Sequence, residues 1–111
     1  MSATSNLSAN YYVENNIRYV FMDGNACKHI NDCYTTLQQQ LSLPDYFGKN
    51  LDALEEVLAD LDWIKEEKIK MIISNSDALL SGEIAKKKEF LDILNSSENV
   101  KLEIIYLGMS S

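Results

Sequence analysis

The chain contains few of the residue types on which several functional classes depend. Its 111 residues include one histidine, His29, and two cysteines, Cys27 and Cys33. Two cysteines are too few for a disulfide framework, and they lack both CxxC spacing and partner histidines for zinc. This composition predicts reduced thiols in a cytoplasmic protein. Because no serine, cysteine or carboxylate motif accompanies His29, we predict no catalytic triad and interpret His29 as a surface residue.

Nucleotide and metal motifs are also missing. The sequence has no P-loop, dinucleotide fingerprint or metal-ligand spacing, so we expect no cofactor and no metal. Asp23 stands at the end of a β-rich segment, like the nucleophile of haloacid dehalogenase phosphatases, but the second aspartate two residues later is absent. Asp23 followed by Gly24 is more typical of a turn. We therefore expect no enzymatic activity.

Basic residues are outnumbered by acidic ones. Ten lysines and arginines oppose 17 aspartates and glutamates, which gives a formal net charge of -7. Nucleic acids and anionic membranes are bound through basic surfaces, so we expect direct contact with neither. No stretch approaches the ~20 apolar residues that span a bilayer, and we expect no secretion signal at the start. The charge balance favours a basic protein as the partner.

Three segments rich in β-branched and aromatic residues predict strands buried on both faces, namely 17–24, 69–74 and 100–107. The segments between them predict helices after caps at Asn31 and Asn50, a short helical turn over 76–80, and a longer helix from Lys86 to Asn95. The resulting order β-α-α-β-α-α-β predicts a small α/β domain with a three-stranded parallel sheet.

The apolar positions of the helical segments predict the core. The first helix should bury Cys33, Tyr34, Leu37 and Leu41, and the last should bury Phe90, Leu91, Ile93 and Leu94. Residues 1–16 are polar and aperiodic, which indicates a loosely held N-terminal arm. The predicted domain spans residues 17–111.

The segment "LPDYFGKNLDALEEVLADLD", residues 43–62, carries six acidic residues and one lysine. At 100° per residue, a helix after Asn50 separates two faces. Leu54, Val57, Leu58 and Leu61 form the apolar face, and Asp52, Glu55, Glu56 and Asp60 form the opposite face. We call these four carboxylates the acidic face.

A solvated helix surface usually mixes charges of both signs, because each opposite pair at i,i+4 stabilises by ~0.2–0.5 kcal/mol and each like pair costs as much. The acidic face accepts about a kcal/mol of repulsion, summed over its like-charged pairs. The helix dipole favours Asp52 in the first turn but opposes Asp60 and Asp62 near the C-terminal end. This pattern predicts a surface that meets a basic cleft, although solubility alone is a second interpretation.

The loop before this helix has the composition of an interface anchor. Pro44 fixes one φ angle, and Gly48 is expected to permit a left-handed turn. Tyr46 suits a half-wet contact because its ring ends in a hydroxyl, whereas Phe47 is expected to lie on the core.

The string "LPDYFGKNLDALEEVL" resembles the central segment of the barstar family, the intracellular inhibitors of barnase-type ribonucleases. The resemblance continues upstream through "VFMDGNACKHINDCYTTLQQQL" and, more loosely, downstream to the strand "LEIIYLG". It implies a three-stranded parallel sheet with helices. It also implies that the loop and the acidic helix occupy a nuclease active site, where carboxylates take the places of RNA phosphates.

Carried over by position, the resemblance implies a partner surface made of Tyr46, Phe47, Gly48, Asn50, Asp52, Glu55, Glu56, Asp60 and Trp63. Tyr46 matches the tyrosine that packs on the catalytic histidine, and Asp52 matches the first interfacial aspartate. Glu56 stands where the family prototype has its dominant aspartate, and Glu55 stands where it has a tryptophan. A family glutamate in the last helix has no clear counterpart, because Asn95 or Ser96 falls there with Glu98 nearby.

The sequence leaves several alternatives open. The partner is a ribonuclease, bound one-to-one, that is either the cell's own secreted enzyme or a toxin delivered between bacteria. A second hypothesis is an acidic mimic that neutralises another basic protein, such as a deoxyribonuclease toxin or a nucleic-acid-binding regulator. Trp63 supplies the missing interface aromatic or belongs to the core.

Overall fold

A four-stranded sheet organises the described residues. In the computed structural model, which describes residues 11–108, the elements are β1 (Tyr12–Glu14), β2 (Ile17–Asp23), α1 (Ile30–Gln40), α2 (Leu51–Asp60), β3 (Lys68–Ser74), α3 (Ile84–Ser96) and β4 (Leu102–Leu107). The sheet order is β1-β2-β3-β4, with β1 antiparallel to β2 and the other pairs parallel. The α/β class is confirmed. The predicted strand number and element order are wrong, because residues 11–108 form four strands and three helices.

The additional strand lies in the segment that was predicted to be an arm. Asn15 and Asn16 have φ values of 56° and 66°. These are the left-handed values that a two-residue hairpin turn requires and that asparagine tolerates. The turn places Tyr12 opposite Tyr19, with ring centroids 5.7 Å apart. Residues 1–10 of the predicted arm lie outside the described residues.

Two helical boundaries also differ from the prediction. Residues 76–80, predicted as a short helix, form turns instead. Helix α1 begins two residues earlier than predicted, with His29 rather than Asn31 as its cap. The backbone N–H of His29 donates to the Asp32 carboxylate at 3.2 Å, and that of Ile30 donates to Glu83 at 2.7 Å. The second carboxylate comes from a distant part of the chain, so the local pattern did not reveal it.

The three helices pack on one face of the sheet. Because parallel strands follow each other in sequence order and crossovers are right-handed, successive helices return to the same side. The core joins alternate strand residues to the helices: Val20, Met22, Ile69, Met71, Ile73, Cys33, Tyr34, Leu37, Leu54, Val57, Leu58, Phe90 and Leu94. Leu91 and Ile93, predicted as core, are only half-buried.

The opposite side of the sheet, which we call the outer sheet face, has no helix from residues 11–108 against it. It presents the alternate residues of every strand, including Tyr19, Phe21, Ile72, Ile105 and Leu107. None of these belongs to the core cluster. The predicted burial of the strands on both faces is therefore wrong, since Phe21 and Leu107 are 44% and 52% exposed.

The Asp23-Gly24 pair forms the turn that its sequence predicted. The Asp23 carboxylate accepts hydrogen bonds at 2.9 Å from the side chain of Asn75 and from the backbone of Asn25. These bonds lower the pKa of Asp23. A Cβ on Gly24 would lie 2.0 Å from the carbonyl oxygen of Asn75, so only glycine fits there. Asp23 is thus engaged in holding two loops together.

Arg18 is the buried cation of the helix-covered face. It is 7% exposed, and its Nε donates to Glu66 Oε1 at 2.9 Å. Its Nη1 donates to the carbonyl of Gln40 at 3.1 Å and to Ser42 Oγ at 3.2 Å. The Tyr11 ring covers the guanidinium at 3.8 Å from the ring centroid. One side chain therefore connects the hairpin, the end of α1 and the segment that precedes β3.

We predict that Glu66→Ala lowers the free energy of unfolding by about 2–3 kcal/mol, because the guanidinium of Arg18 loses its counter-ion in a buried site. The matched control is Asp92→Ala, which breaks the exposed Lys88–Asp92 pair and should cost less than about 1 kcal/mol. Urea denaturation measures both values. Equal losses in the two variants would contradict a special role for the buried pair.

Candidate functional site

The loop from Pro44 to Lys49 separates its two aromatic rings. The Phe47 backbone N–H donates to the Pro44 carbonyl at 3.0 Å and closes a turn. The Phe47 ring is 6% exposed and meets the Tyr34 ring edge-on, with centroids 5.8 Å apart. Tyr46 is 81% exposed. Phe47 therefore anchors the loop, as expected from the sequence, while Tyr46 is presented to solvent.

Gly48 does not make the left-handed turn that was expected of it. Its φ is not positive, and Lys49 takes the left-handed conformation with φ of 53°. What Gly48 provides is space, because a Cβ there would lie 3.1 Å from the side-chain nitrogen of Asn50. That nitrogen donates to the Gly48 carbonyl at 3.3 Å. The glycine thus allows Asn50 to fold back over the loop.

Asn50 caps α2 as its sequence predicted. Its side-chain oxygen accepts the backbone N–H of Ala53 at 2.8 Å. This bond satisfies one of the free N–H groups at the start of the helix. The cap fixes where α2 begins and therefore which residues face the core. Leu54, Val57 and Leu58 are buried, and Leu61, the C-terminal cap residue, is fully buried.

The acidic face is exposed over its whole length, at Asp52, Glu55, Glu56 and Asp60. No hydrogen bond or ion pair links the carboxylates of Asp52, Glu55 or Glu56 to another residue of the described range 11–108. At the end of the helix, the Asp60 carboxylate raises the pKa of Asp62 by hydrogen bonding and by charge repulsion. The structure therefore retains the like-charge repulsion inferred from the sequence.

The C-terminal end of α2 is held by residues that the sequence reading did not single out. The Asn99 side-chain amide donates to the carbonyls of Leu58, Ala59 and Asp60 at 3.1, 3.2 and 3.3 Å. The Lys101 ammonium donates to the carbonyls of Leu61 and Ile64. A cation at this end offsets the dipole that disfavours Asp60 and Asp62. No local sequence signal reveals these contacts, because Asn99 and Lys101 lie about 40 residues after the carbonyls that they bind.

Two grooves border the acidic face. A groove of about 420 Å³ lies between the first turns of α1 and α2, and Asn50, Asp52 and the two lysines Lys49 and Lys86 line it. A smaller groove of about 230 Å³ lies between α2 and the end of α3. Glu55 and Glu98 both line the smaller groove. Glu98 therefore extends the carboxylate surface beyond α2.

Trp63 stands beside the acidic helix as a support. Its ring is half-buried against the core. Its Nε1–H donates to the carbonyl of Leu41 at 2.8 Å. This bond ties the segment after α2 to the end of α1. The side chain therefore has a clear packing role, and only part of it reaches solvent.

Cys33, on α1, and Cys27, in the segment before it, are buried free thiols. The neighbouring Cys33 thiol lowers the pKa of Cys27, and the Cys27 thiol together with burial raises the pKa of Cys33. Cys27 also lies 3.4 Å from Thr36 Oγ1. Residues 11–108 bring together no group of three or more side chains suited to hold a metal ion. No helix in the same range is long and apolar enough to cross a membrane.

We predict that Asn50→Ala lowers the free energy of unfolding by about 1 kcal/mol, because α2 loses its N-terminal cap. Asn50→Asp should retain most of the stability, since aspartate accepts the same bond and suits the helix dipole. Chemical denaturation is the measurement.

The control for this prediction is Asn31→Ala. Asn31 is exposed and was wrongly expected to cap α1, so its loss should change stability by less than about 0.5 kcal/mol. A larger effect at Asn31 than at Asn50 would contradict the assigned caps.

The chain was compared with models of known protein families. The model described as Barstar (barnase inhibitor) matches residues 17–103. The match begins with β2 and ends within β4, so it includes the loop, the acidic face and the three helices. Because it covers most of the chain, the protein belongs to the barstar family, a family of barnase inhibitors.

Proposed function

We propose that this protein binds a basic ribonuclease one-to-one and blocks its active site, with the acidic face of α2 in the place of RNA phosphates. The observation that carries the proposal is the pair Asp52 and Glu56. These carboxylates lie one turn apart, are exposed, and have no partner among residues 11–108. Family membership supports a ribonuclease as the class of partner.

The arrangement suits a nuclease cleft physically. Such a cleft contains several cationic side chains that bind phosphates. The repulsion among the carboxylates of the acidic face is relieved when these side chains lie next to them. The α2 backbone is held at both ends, by Asn50 and by Asn99 with Lys101. Binding therefore requires little ordering of the main chain, which lowers the entropic cost of association.

Tyr46 completes the proposed surface. Its exposed ring lies on a loop that the buried Phe47 ring anchors to the core. A rigidly mounted aromatic side chain that ends in a hydroxyl is typical of interface hot spots. Phe47, Gly48 and Trp63 contribute to this proposal as supports of the surface.

Glu55 and Glu56 indicate that the partner differs from the family prototype's enzyme. The longer side chain of Glu56 displaces its carboxylate by roughly an ångström or more relative to the family's aspartate. Glu55 offers a charge where the family has an aromatic ring. We infer a cognate cleft that is adapted to both changes, in the cell's own secreted ribonuclease or in a delivered toxin.

The proposal is tested by titrating barnase with the wild-type protein and with the double variant Glu55→Trp/Glu56→Asp, following RNA cleavage. We expect the wild type to inhibit barnase weakly. The double variant should inhibit at one molecule per molecule of barnase, with a dissociation constant at least about tenfold lower than that of the wild type. Tenfold corresponds to about 1.4 kcal/mol, which one restored interface contact can supply. RNA cleavage by the protein itself would oppose the proposal. Failure of both proteins to inhibit would favour another basic target, such as a deoxyribonuclease.

We further predict that the central carboxylates govern dissociation. In the tighter-binding double variant, Asp52→Ala should raise the dissociation rate and cost about 2–5 kcal/mol, because the cation that it faces is left unpaired in a desolvated site. Asp60→Ala should mainly slow association, as expected for a charge at the rim.

Asp92→Ala provides the control for net charge. Asp92 is exposed and lies on α3, away from α2, and its replacement by alanine removes the same single charge as Asp52→Ala. Stopped-flow association at two salt concentrations separates the rates. An Asp52→Ala variant that binds as tightly as the Asp92→Ala control would show that another surface makes the contact.

A further inference from the structure

Three helices begin around the groove of about 420 Å³ that borders the acidic face, which we call the helix-start groove. The first turns of α1 and α2 line it, and Lys86 lines it from the first turn of α3. Helices α1 and α3 follow the carboxyl ends of β2 and β3, the edge at which ligands usually bind to α/β sheets. The N-terminus of each helix carries partial positive charge. The backbone therefore contributes positive potential to this groove.

The start of α2 keeps two of its backbone donors free. The Asn50 side chain accepts the N–H at the third position of the helix. The N–H groups of Leu51 and Asp52 make no hydrogen bond within residues 11–108. The start of α1 differs, because the N–H of Ile30 donates to Glu83. Leu51 and Asp52 both line the helix-start groove, so an acceptor in the groove satisfies donors that the fold leaves open.

Tyr34 provides evidence that is independent of the helix ends. It is only 4% exposed, yet it lines the groove. Its hydroxyl makes no hydrogen bond within residues 11–108, whereas every fully buried side-chain nitrogen or oxygen of that range has a partner. The hydroxyl is therefore the part of Tyr34 that reaches the groove. Burial, and then the nearby charges of Glu83 and Glu89, raise the pKa of Tyr34, so the hydroxyl keeps its proton and can donate.

The side chains that line the groove carry a charge opposite in sign to that of the chain. Lys49 and Lys86 supply two positive charges and Asp52 supplies one negative charge, a sum of +1, against -7 for the whole chain. Both lysines are exposed, and neither ammonium forms an ion pair or a hydrogen bond within the described range 11–108. The two cations thus stay unpaired although acidic residues outnumber basic ones.

We propose that the helix-start groove binds one oxyanion, a carboxylate or a phosphate group, through the ammonium groups of Lys49 and Lys86, the hydroxyl of Tyr34 and the free N–H groups of α2. Hydrogen bonds from charged donors to an oxyanion are roughly twice as strong as bonds between neutral groups. A metal ion or a basic side chain would meet two ammonium groups at this position, so neither fits the groove.

Two sources can supply this chemistry. The first is a carboxylate side chain at the rim of the ribonuclease cleft, which rests on the proposed function, and the second is free phosphate. Asp52 belongs to both the groove and the acidic face, so the groove adjoins the proposed interface. A carboxylate beside the cations of a cleft is repelled by a purely acidic surface and attracted by the two lysines. The groove would thus help to select the partner.

Titration of the full chain with sodium phosphate, up to about 100 mM at constant ionic strength, tests the proposal without any ribonuclease. The measurement is the NMR shift of the backbone amides of Leu51 and Asp52. We expect saturable shifts with a dissociation constant of about 1–10 mM, because pairs with exposed ammonium groups are weak. A parallel titration with sodium acetate separates the sources. Acetate binding within about threefold of phosphate assigns the groove to a partner's carboxylate, and a larger preference for phosphate assigns it to free phosphate.

Three single variants locate the binding site. Tyr34→Phe keeps the ring that packs on Phe47 and removes only the hydroxyl, so the dissociation constant for phosphate should rise about threefold. Lys86→Ala should raise it about threefold or more, because one charged donor is lost. The control, Lys65→Ala, removes the same charge at an exposed residue beyond the opposite end of α2, and should change the dissociation constant by less than about 1.5-fold.

The outcomes decide the proposal without reference to inhibition. Saturable shifts that Tyr34→Phe and Lys86→Ala weaken, and that Lys65→Ala does not, support the oxyanion site. The absence of a saturable shift, or equal weakening by Lys65→Ala, overturns it. Because no ribonuclease takes part in the titration, a protein that inhibits none still gives the same result here, and the two proposals fail separately.

Discussion

The buried guanidinium of Arg18 must find partners inside the protein, and the geometry around the candidate site follows from where they lie. Its donors reach Gln40 at the end of α1, Ser42 just beyond it, and Glu66 before β3. These bonds fix the point at which the chain leaves α1 and enters the loop that carries Tyr46. The strand that holds Arg18 is thereby joined, through one side chain, to the chain just before and just after the segment 43–62 that carries the acidic face.

The acidic helix is stabilised from outside its own sequence. Its exposed carboxylates repel one another, and the dipole of the helix disfavours those near its last turn. Its apolar side nevertheless packs in the core, and both of its ends are capped. The N-terminal cap is local, through Asn50, whereas the C-terminal partners, Asn99 and Lys101, come from the turn before β4. The core packing and the two caps hold α2 in place, so the helix forms despite the repulsion among its carboxylates.

Periodicity and local chemistry predicted much of this arrangement, and long-range contacts account for the rest. The buried and acidic sides of α2 and the Asn50 cap could be read directly, because a helix fixes which residues share a face. The cap of α1 could not be read, because Glu83 completes it from more than 50 positions away. The β1 hairpin was missed because it is short. The open side of the sheet was missed because β-branched residues occur in strands whether one face or both are covered.

The contacts of Asn99 and Lys101 with the end of α2 also set an order of events during synthesis. The carbonyls of Leu58, Ala59, Asp60 and Leu61 are made long before the side chains that bind them. Until the turn before β4 has emerged and docked, the last turn of the helix has neither its amide donor nor its cation. The surface acquires its final shape only when β4 joins the sheet.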